Sequence, residues 1–150
     1  MTAPKTILVP TDFGEAAELA LDRAIEIARA TQGRIVLVYA CPLPYVTALD
    51  GAMVPNGDVV EAMREAGRKR LADAIERRKS SNVDIQPLLA IGDPRMCILD
   101  LAKETRADMI VMGTHGRRGL SRVFLGSTAE AVVRTAPIPV LTIRALEASA

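Results

Sequence analysis

The chain has 150 residues and a mass of 16.1 kDa, with 49% hydrophobic, 25% charged and 3% aromatic residues, and by surface scaling it buries about two thirds of its area on folding, enough for a core without staples. Its 19 basic residues balance 18 acidic ones, so no global field draws it onto nucleic acid or anionic lipid, and no apolar run nears the roughly 20 residues of a membrane span. Cys41 and Cys97 cannot build a disulfide framework, and MTAPKTILVPTD turns polar too soon for a signal peptide, so a cytoplasmic, reducing setting is expected.

In chain order, Thr6 to Val9 is a short β-branched apolar run closed by Pro10 and predicts the first strand. A helix follows: Ala17, Ala20, Leu21, Ala24, Ile27 and Ala28 share one face, while Glu18, Asp22, Glu26 and Arg29 share the other. Arg34 to Tyr39 predicts the second strand. Cys41 to Gly57 carries three prolines and two glycines without a clear period, and is expected to be an extended loop. The next helix shows a stripe of Val60, Met63, Gly67, Leu71, Ala74 and Ile75, and Val83 to Ile91 forms the third strand. Cys97, Ile98, Leu101 and Ala102 mark the third helix, Met109 to Met112 the fourth strand, Ala129, Val132, Val133 and Ala136 the fourth helix, and Val140 to Ile143 the last strand. Asp12 with Glu15, Asp58 with Glu61 and Ser127 with Glu130 have capping-box spacing, and Asp93-Pro94 puts a cap before a proline at the first helical position.

These strand runs are apolar on both faces rather than alternating, as in a parallel sheet covered on both sides. Strict alternation of strand and helix predicts a single α/β domain over residues 1–150, an open doubly wound five-stranded parallel sheet with helices on both faces. A barrel of eight such units needs about 250 residues.

Ligands of such sheets bind beyond the carboxyl ends of the strands, where the strand order reverses. Pro10, Thr11 and Asp12 follow the first strand, and Gly113 to Thr128 follows the fourth with four glycines, three arginines and no acidic residue. A phosphate needs close backbone N–H donors, which glycine permits, and gains from a helix N-terminus. Gly126-Ser127-Thr128 supplies both along with two hydroxyls, although a turn with Ser127 as a plain helix cap accounts for the same residues. No lysine follows Gly126 as a P-loop requires, Pro-Thr-Asp-Phe-Gly is not a dinucleotide fingerprint, and Asp12 lacks the acidic neighbours of a phosphorylated receiver domain. His115, the only histidine, has no partners for a triad or a zinc site.

Gly113, Gly116, Gly126 and Ser127 fit the spacing G-x2-G-x9-G-[ST]. With ILVPTDFGEAAELAL at the start, Gly92-Asp93-Pro94, and ADMIVMGTHGRRGLSRVFLGSTAEAVVRTAPIPVLTIR at the end, the chain resembles the universal stress protein (UspA-like) family, in its ATP-binding branch, over essentially its whole length. The resemblance implies an adenine nucleotide alpha hydrolase-like fold with strand order 3-2-1-4-5. It implies that Pro10, Thr11 and Asp12 line an adenine nucleotide, with Asp12 near the ribose or a phosphate-bound Mg²⁺, and that the backbone at Ala40 reads the adenine edge. Met112 and Gly113 would flank the sugar, while Gly116, Gly126, Ser127 and Thr128 cradle the phosphates and Arg117, with Arg118 and Arg122, neutralises them. Three bland alternatives stand beside these roles: Asp12 as a plain helix cap, which can coexist with a ligand role, Met112 as core, and the arginines as a solvated loop. The function implied is a nucleotide-dependent regulator in the stress response, with hydrolysis slow or absent. The alternatives are a slow Mg-dependent ATPase using Asp12 and a dimeric scaffold without nucleotide. The last strand, an apolar edge, needs a cover; the family's solution is antiparallel pairing of this strand across a two-fold axis, so a homodimer through Val140 to Ile143 is expected.

Overall fold

The computed structural model describes residues 2–43, 46–48, 51–53, 56–114 and 125–145. In chain order the elements are β1 (Thr6–Pro10), α1 (Glu15–Thr31), β2 (Arg34–Cys41), β3 (Val46–Ala48), β4 (Gly51–Met53), α2 (Gly57–Glu76), a 3₁₀ turn (Lys79–Ser81), β5 (Ile85–Ile91), α3 (Pro94–Glu104), β6 (Met109–Thr114), α4 (Ser127–Thr135) and β7 (Val140–Arg144). Five of the strands form one parallel sheet in the order β5-β2-β1-β6-β7, which is 3-2-1-4-5 when these five are numbered alone. The strand order is as the resemblance implies, and the parallel pairing is as the unalternating strand runs predict. β6 runs two residues further than the apolar run, through Gly113 and Thr114.

The span from Cys41 to Gly57 departs from the extended loop expected of it. Within it β3 and β4 form a short antiparallel hairpin, with Val46 opposite Met53 and Ala48 opposite Gly51. Three-residue strands are too short to carry a readable alternation, so composition alone reports only the prolines and glycines.

The sheet separates two cores. On one face Ile7, Val9, Ile35, Leu37 and Val111 meet Ala20, Leu21, Ala24 and Ala28 of α1 and Leu71 and Ala74 of α2. On the other, Leu8, Val36, Val38, Ile110 and Met112 meet Ile98 and Ala102 of α3 and Ala129 and Val132 of α4. Because side chains alternate along a strand, consecutive residues such as Ile7, Leu8 and Val9 serve opposite cores, which is why the runs are apolar throughout. Val133 was expected on the buried stripe of α4 but is 42% exposed; the helix buries a narrower face than its apolar pattern suggests.

Three of the four helix starts differ from the capping-box reading. Asp93 does cap α3, accepting the Arg95 amide at 2.9 Å with Pro94 in the first turn. α2 is capped instead by Asn56, whose side chain accepts the Val59 amide at 3.0 Å, so the helix begins one residue before Asp58. α1 and α4 start from Gly14 and Gly126, and neither start has a side-chain cap bond. Both helices open from segments that follow strands at the carboxyl edge of the sheet.

Arg78 joins α1 to the end of α2. Its Nε donates to Asp22 Oδ1 at 2.7 Å and its Nη2 to Glu18 Oε2 at 2.8 Å, with further donation to the carbonyls of Ala74 and Glu18. Burial works to lower the pKa of Arg78, but the bonds from Asp22 and Glu18 outweigh it and the net shift is upward. Arg78→Ala is expected to lower stability by about 2 kcal/mol, since hydrogen bonds to charged groups in a part-buried site are lost and the carboxylates partly regain water. Arg77→Ala, whose side chain is 58% exposed and reaches Glu18 only at 3.4 Å, should change stability by less than about 0.5 kcal/mol. Urea denaturation of the two variants checks the contrast.

Candidate nucleotide site

The chain leaves β1 toward β2 on one side of the sheet and leaves β6 toward β7 on the other, so the order reverses between β1 and β6. The crevice beyond their carboxyl ends is the place where such a sheet takes a ligand.

From β1, the backbone is tied down at once. The Thr11 amide donates to the Val38 carbonyl at 2.8 Å. Thr11 Oγ1 accepts the Phe13 amide at 2.9 Å, and Asp12 Oδ1 accepts the Gly14 amide at 2.8 Å. These two side-chain-to-backbone turns carry the chain through Phe13 at φ 62° and into α1. Asp12 therefore acts in its own loop, not as the cap of the helix, and its carboxylate is exposed.

From β6, Met112 is 4% exposed and packs in the core on the α3 and α4 face, so its side chain fills the bland alternative and leaves only its backbone for a ligand. Gly113 is glycine for a reason internal to the fold. A Cβ there would lie 2.5 Å from the Ala16 carbonyl carbon and 2.6 Å from the Ala17 nitrogen, so the first turn of α1 lies directly against β6. Thr114 is buried, and its hydroxyl donates to the Ile143 carbonyl at 3.4 Å. Gly126 precedes α4 at φ 74° and ψ 150°, a conformation that only glycine adopts readily. It presents the first turn of α4 with no side-chain cap, Ser127 exposed and Thr128 half-buried. On β2, Ala40 stands opposite Ala90 of β5 near the same edge.

The structure thus brings Pro10, Thr11, Asp12, Ala40, Met112 and Gly113 to one edge of the sheet, with Gly126, Ser127 and Thr128 at the start of the helix that follows β6. Gly116 and Arg117, with His115, Arg118 and Arg122, lie outside the described residues. Ser127 is the first residue of α4 rather than its cap, which removes the plain-cap explanation for its hydroxyl. Among the described residues no cluster of three or more His, Cys, Asp or Glu side chains forms a ready metal site. Mg²⁺ does not require one, because it is commonly held by one or two carboxylates and the ligand's own phosphates. The Asp12 carboxylate fits that arrangement.

One group beside the crevice has no counterpart in the motif. Phe13 meets Tyr39 edge-on, with ring centroids 4.8 Å apart, and the Arg70 guanidinium lies 4.2 Å from the Phe13 centroid and 6.0 Å from that of Tyr39. Burial raises the Tyr39 pKa, helped by Cys41 and opposed by Arg70, so its hydroxyl stays protonated at neutral pH. The Cys97 thiol is likewise raised, by burial first and then by Asp100 and Asp93, and is no activated nucleophile. Phe13 was legible as one of only two phenylalanines, placed directly after Asp12; Arg70, 57 residues away, carried no signal.

Comparison with known proteins places nearly the whole chain in one family. The universal stress protein family model matches residues 4–144. Universal stress protein MJ0531 of Methanocaldococcus jannaschii is 31% identical, the match covering 93% of this chain and 82% of the relative. A universal stress protein structure from Burkholderia pseudomallei superposes with a TM-score of 0.74 at 34% identity, covering 94% of this chain and 96% of that one. The universal stress protein from Archaeoglobus fulgidus in complex with dAMP superposes with a TM-score of 0.66 at 25% identity, covering 95% of this chain and 99% of that one. The family match across nearly the whole chain, on a sheet of the implied order, shows that this chain belongs to the universal stress protein family.

Proposed function

We propose that this chain binds an adenine nucleotide, ATP for preference, and acts as a nucleotide-dependent regulator in a stress response, with hydrolysis slow or absent. The observation that carries the reading is the uncapped first turn of α4 behind Gly126, at the strand-order reversal of the sheet. The N-terminal amides of a helix and its dipole favour phosphate there. The dAMP complex of the Archaeoglobus fulgidus relative supports the adenine class.

In this reading Pro10, Thr11 and Asp12 line the nucleotide, and the Ala40 backbone reads the adenine edge. The backbones of Met112 and Gly113 run beside the sugar. Gly116, Gly126, Ser127 and Thr128 cradle the phosphates, and Arg117 adds positive charge. Asp12 would hold Mg²⁺ together with phosphate oxygens, and the ion would neutralise the phosphates. Asp12 already spends Oδ1 on the Gly14 amide, a loop-holding bond that favours a binding role over a base for water.

β7 lies at the edge of the sheet with Val140 to Ile143 only partly buried, and we place the homodimer contact on this strand. With no Trp and two Tyr, the protein absorbs weakly near 280 nm, so bound adenine would dominate its spectrum near 260 nm. Freshly purified protein is expected to release an adenine nucleotide on acid extraction, or else to bind added ATP with Mg²⁺ at about one per chain in calorimetry. Light scattering should report a dimer at micromolar concentration. Protein that carries no nucleotide and takes up none would leave the scaffold reading, and phosphate release that Asp12→Ala abolishes would make it an ATPase.

A further inference from the structure

We propose that Arg70 is a positioning residue for the nucleotide loop: by stacking on Phe13 it holds the turn from Thr11 to Gly14 in the shape that faces the crevice. The inference rests on the nucleotide reading above, but its structural half stands apart from it.

Phe13 sits in the left-handed region at φ 62°, which an L residue other than Gly or Asn adopts at a cost. Its amide is held by Thr11 Oγ1, and the next amide by Asp12 Oδ1. The turn is thus built from the very side chains assigned to the ligand, and what keeps it in place must lie on its other side. That side is the Phe13 ring, wedged edge-on against Tyr39 and covered by the Arg70 guanidinium at 4.2 Å.

Helix α2 can bring Arg70 there because of Gly67. A Cβ at Gly67 would lie 2.8 Å from Leu89 Cδ1 and 3.1 Å from Tyr39 Cδ1, so the helix rests directly on β2 and β5 one turn before Arg70. Arg70, like Arg29, Arg34, Arg64 and Arg106, forms no ion pair among the described residues. Its guanidinium lies over the Phe13 face, the geometry of a cation–π contact, and also hydrogen-bonds the Tyr39 side chain. The stack ties α2 to the loop that follows β1, a link that no backbone hydrogen bond among the described residues supplies.

The test uses Arg70→Met, Arg70→Lys, Phe13→Leu and the Arg70→Met/Phe13→Leu double variant in the full chain. Two quantities are read: the ATP dissociation constant with Mg²⁺, and hydrogen exchange of the Phe13 and Gly14 amides in ligand-free protein. Arg70→Met should weaken ATP and speed both amides by about two- to fivefold, the equilibrium equivalent of an exposed cation–π contact. Its thermal midpoint should stay within a few degrees of wild type, Arg70→Lys should restore most of the loss, and the double variant should be no weaker than Phe13→Leu alone. Unchanged exchange and affinity in Arg70→Met would overturn the proposal, as would additive losses in the double variant or a loss that merely tracks a lowered midpoint. If wild-type protein binds no adenine nucleotide, the functional reading fails, and exchange alone decides whether Arg70 holds the loop: faster exchange keeps the assignment and unchanged exchange removes it.

Discussion

Gly113→Ala is expected to lower stability by about 3 kcal/mol and the thermal midpoint by on the order of 10 °C, although it adds a single methyl group. The added carbon would meet the Ala16 carbonyl carbon at 2.5 Å, the Ala17 nitrogen at 2.6 Å and the Ala16 oxygen at 2.7 Å. All three are backbone atoms of the first turn of α1, so no rotamer change relieves the clash. Either β6 or the start of α1 must move, and the sheet holds β6 between β1 and β7. The start of α1 is therefore the part that yields, and the Thr11 to Gly14 turn moves with it. ATP affinity should fall along with stability, which separates this variant from Arg78→Ala, where only stability falls. Gly57→Ala serves as control: among the described residues nothing beyond its chain neighbours and its own helix lies within 4 Å of the added carbon, and it should be neutral or slightly stabilising. Thermal unfolding followed by circular dichroism, with ATP calorimetry, checks all three; a loss below about 1 kcal/mol at Gly113 would mean that helix and strand are not pressed together as described.

Gly126→Val should weaken ATP by at least about tenfold, the equivalent of 1.4 kcal/mol, while costing about 1–3 kcal/mol of stability. At φ 74° and ψ 150° the residue occupies a region almost closed to side chains, and a β-branched residue is the least able to enter it. Valine would be driven toward negative φ, turning the peptide that carries the Ser127 amide. That amide opens α4, and on the proposed reading it is one of the phosphate donors. The Glu130 amide bond to the Gly126 carbonyl, at 3.0 Å, would loosen in the same movement and fray the first turn. Calorimetry with ATP and Mg²⁺ reads the first effect and urea denaturation the second. An unchanged dissociation constant would remove the phosphate cradle from this helix.

Both predictions concern glycines that the motif spacing had singled out, yet for different reasons. The spacing treats Gly113 and Gly126 alike, as places where backbone approaches a ligand. The structure separates them: Gly113 is required by a neighbouring helix, Gly126 by its own dihedral angles. A spacing pattern records that a side chain is excluded and not what excludes it. The same holds at the helix starts, where Asp12 and Ser127 stood at cap-to-glutamate distance from Glu15 and Glu130 but the cap positions are Gly14 and Gly126. An Asp that bonds an amide two residues on ends a loop as well as a helix cap does, and i, i+3 spacing does not tell the two apart.

What the sequence determined by itself is the sheet and its order of elements. Runs such as Ile7-Leu8-Val9 and Ile35-Val36-Leu37-Val38 serve two cores at once, so their lack of alternation already encodes a parallel sheet with helices on both faces. The residues after β1 and β6 were legible for the same reason, since chain order alone places them at the carboxyl edge. Only the tertiary structure decided which side chains are spent on the fold and which remain for a ligand. It buries Met112, exposes Val133, forms a hairpin within the span from Cys41 to Gly57, and stacks Arg70 on Phe13 across 57 residues. These outcomes depend on how closely helices approach strands and each other. Local periodicity repeats over a few residues and carries no record of such distances, which are set by side chains far apart in the chain.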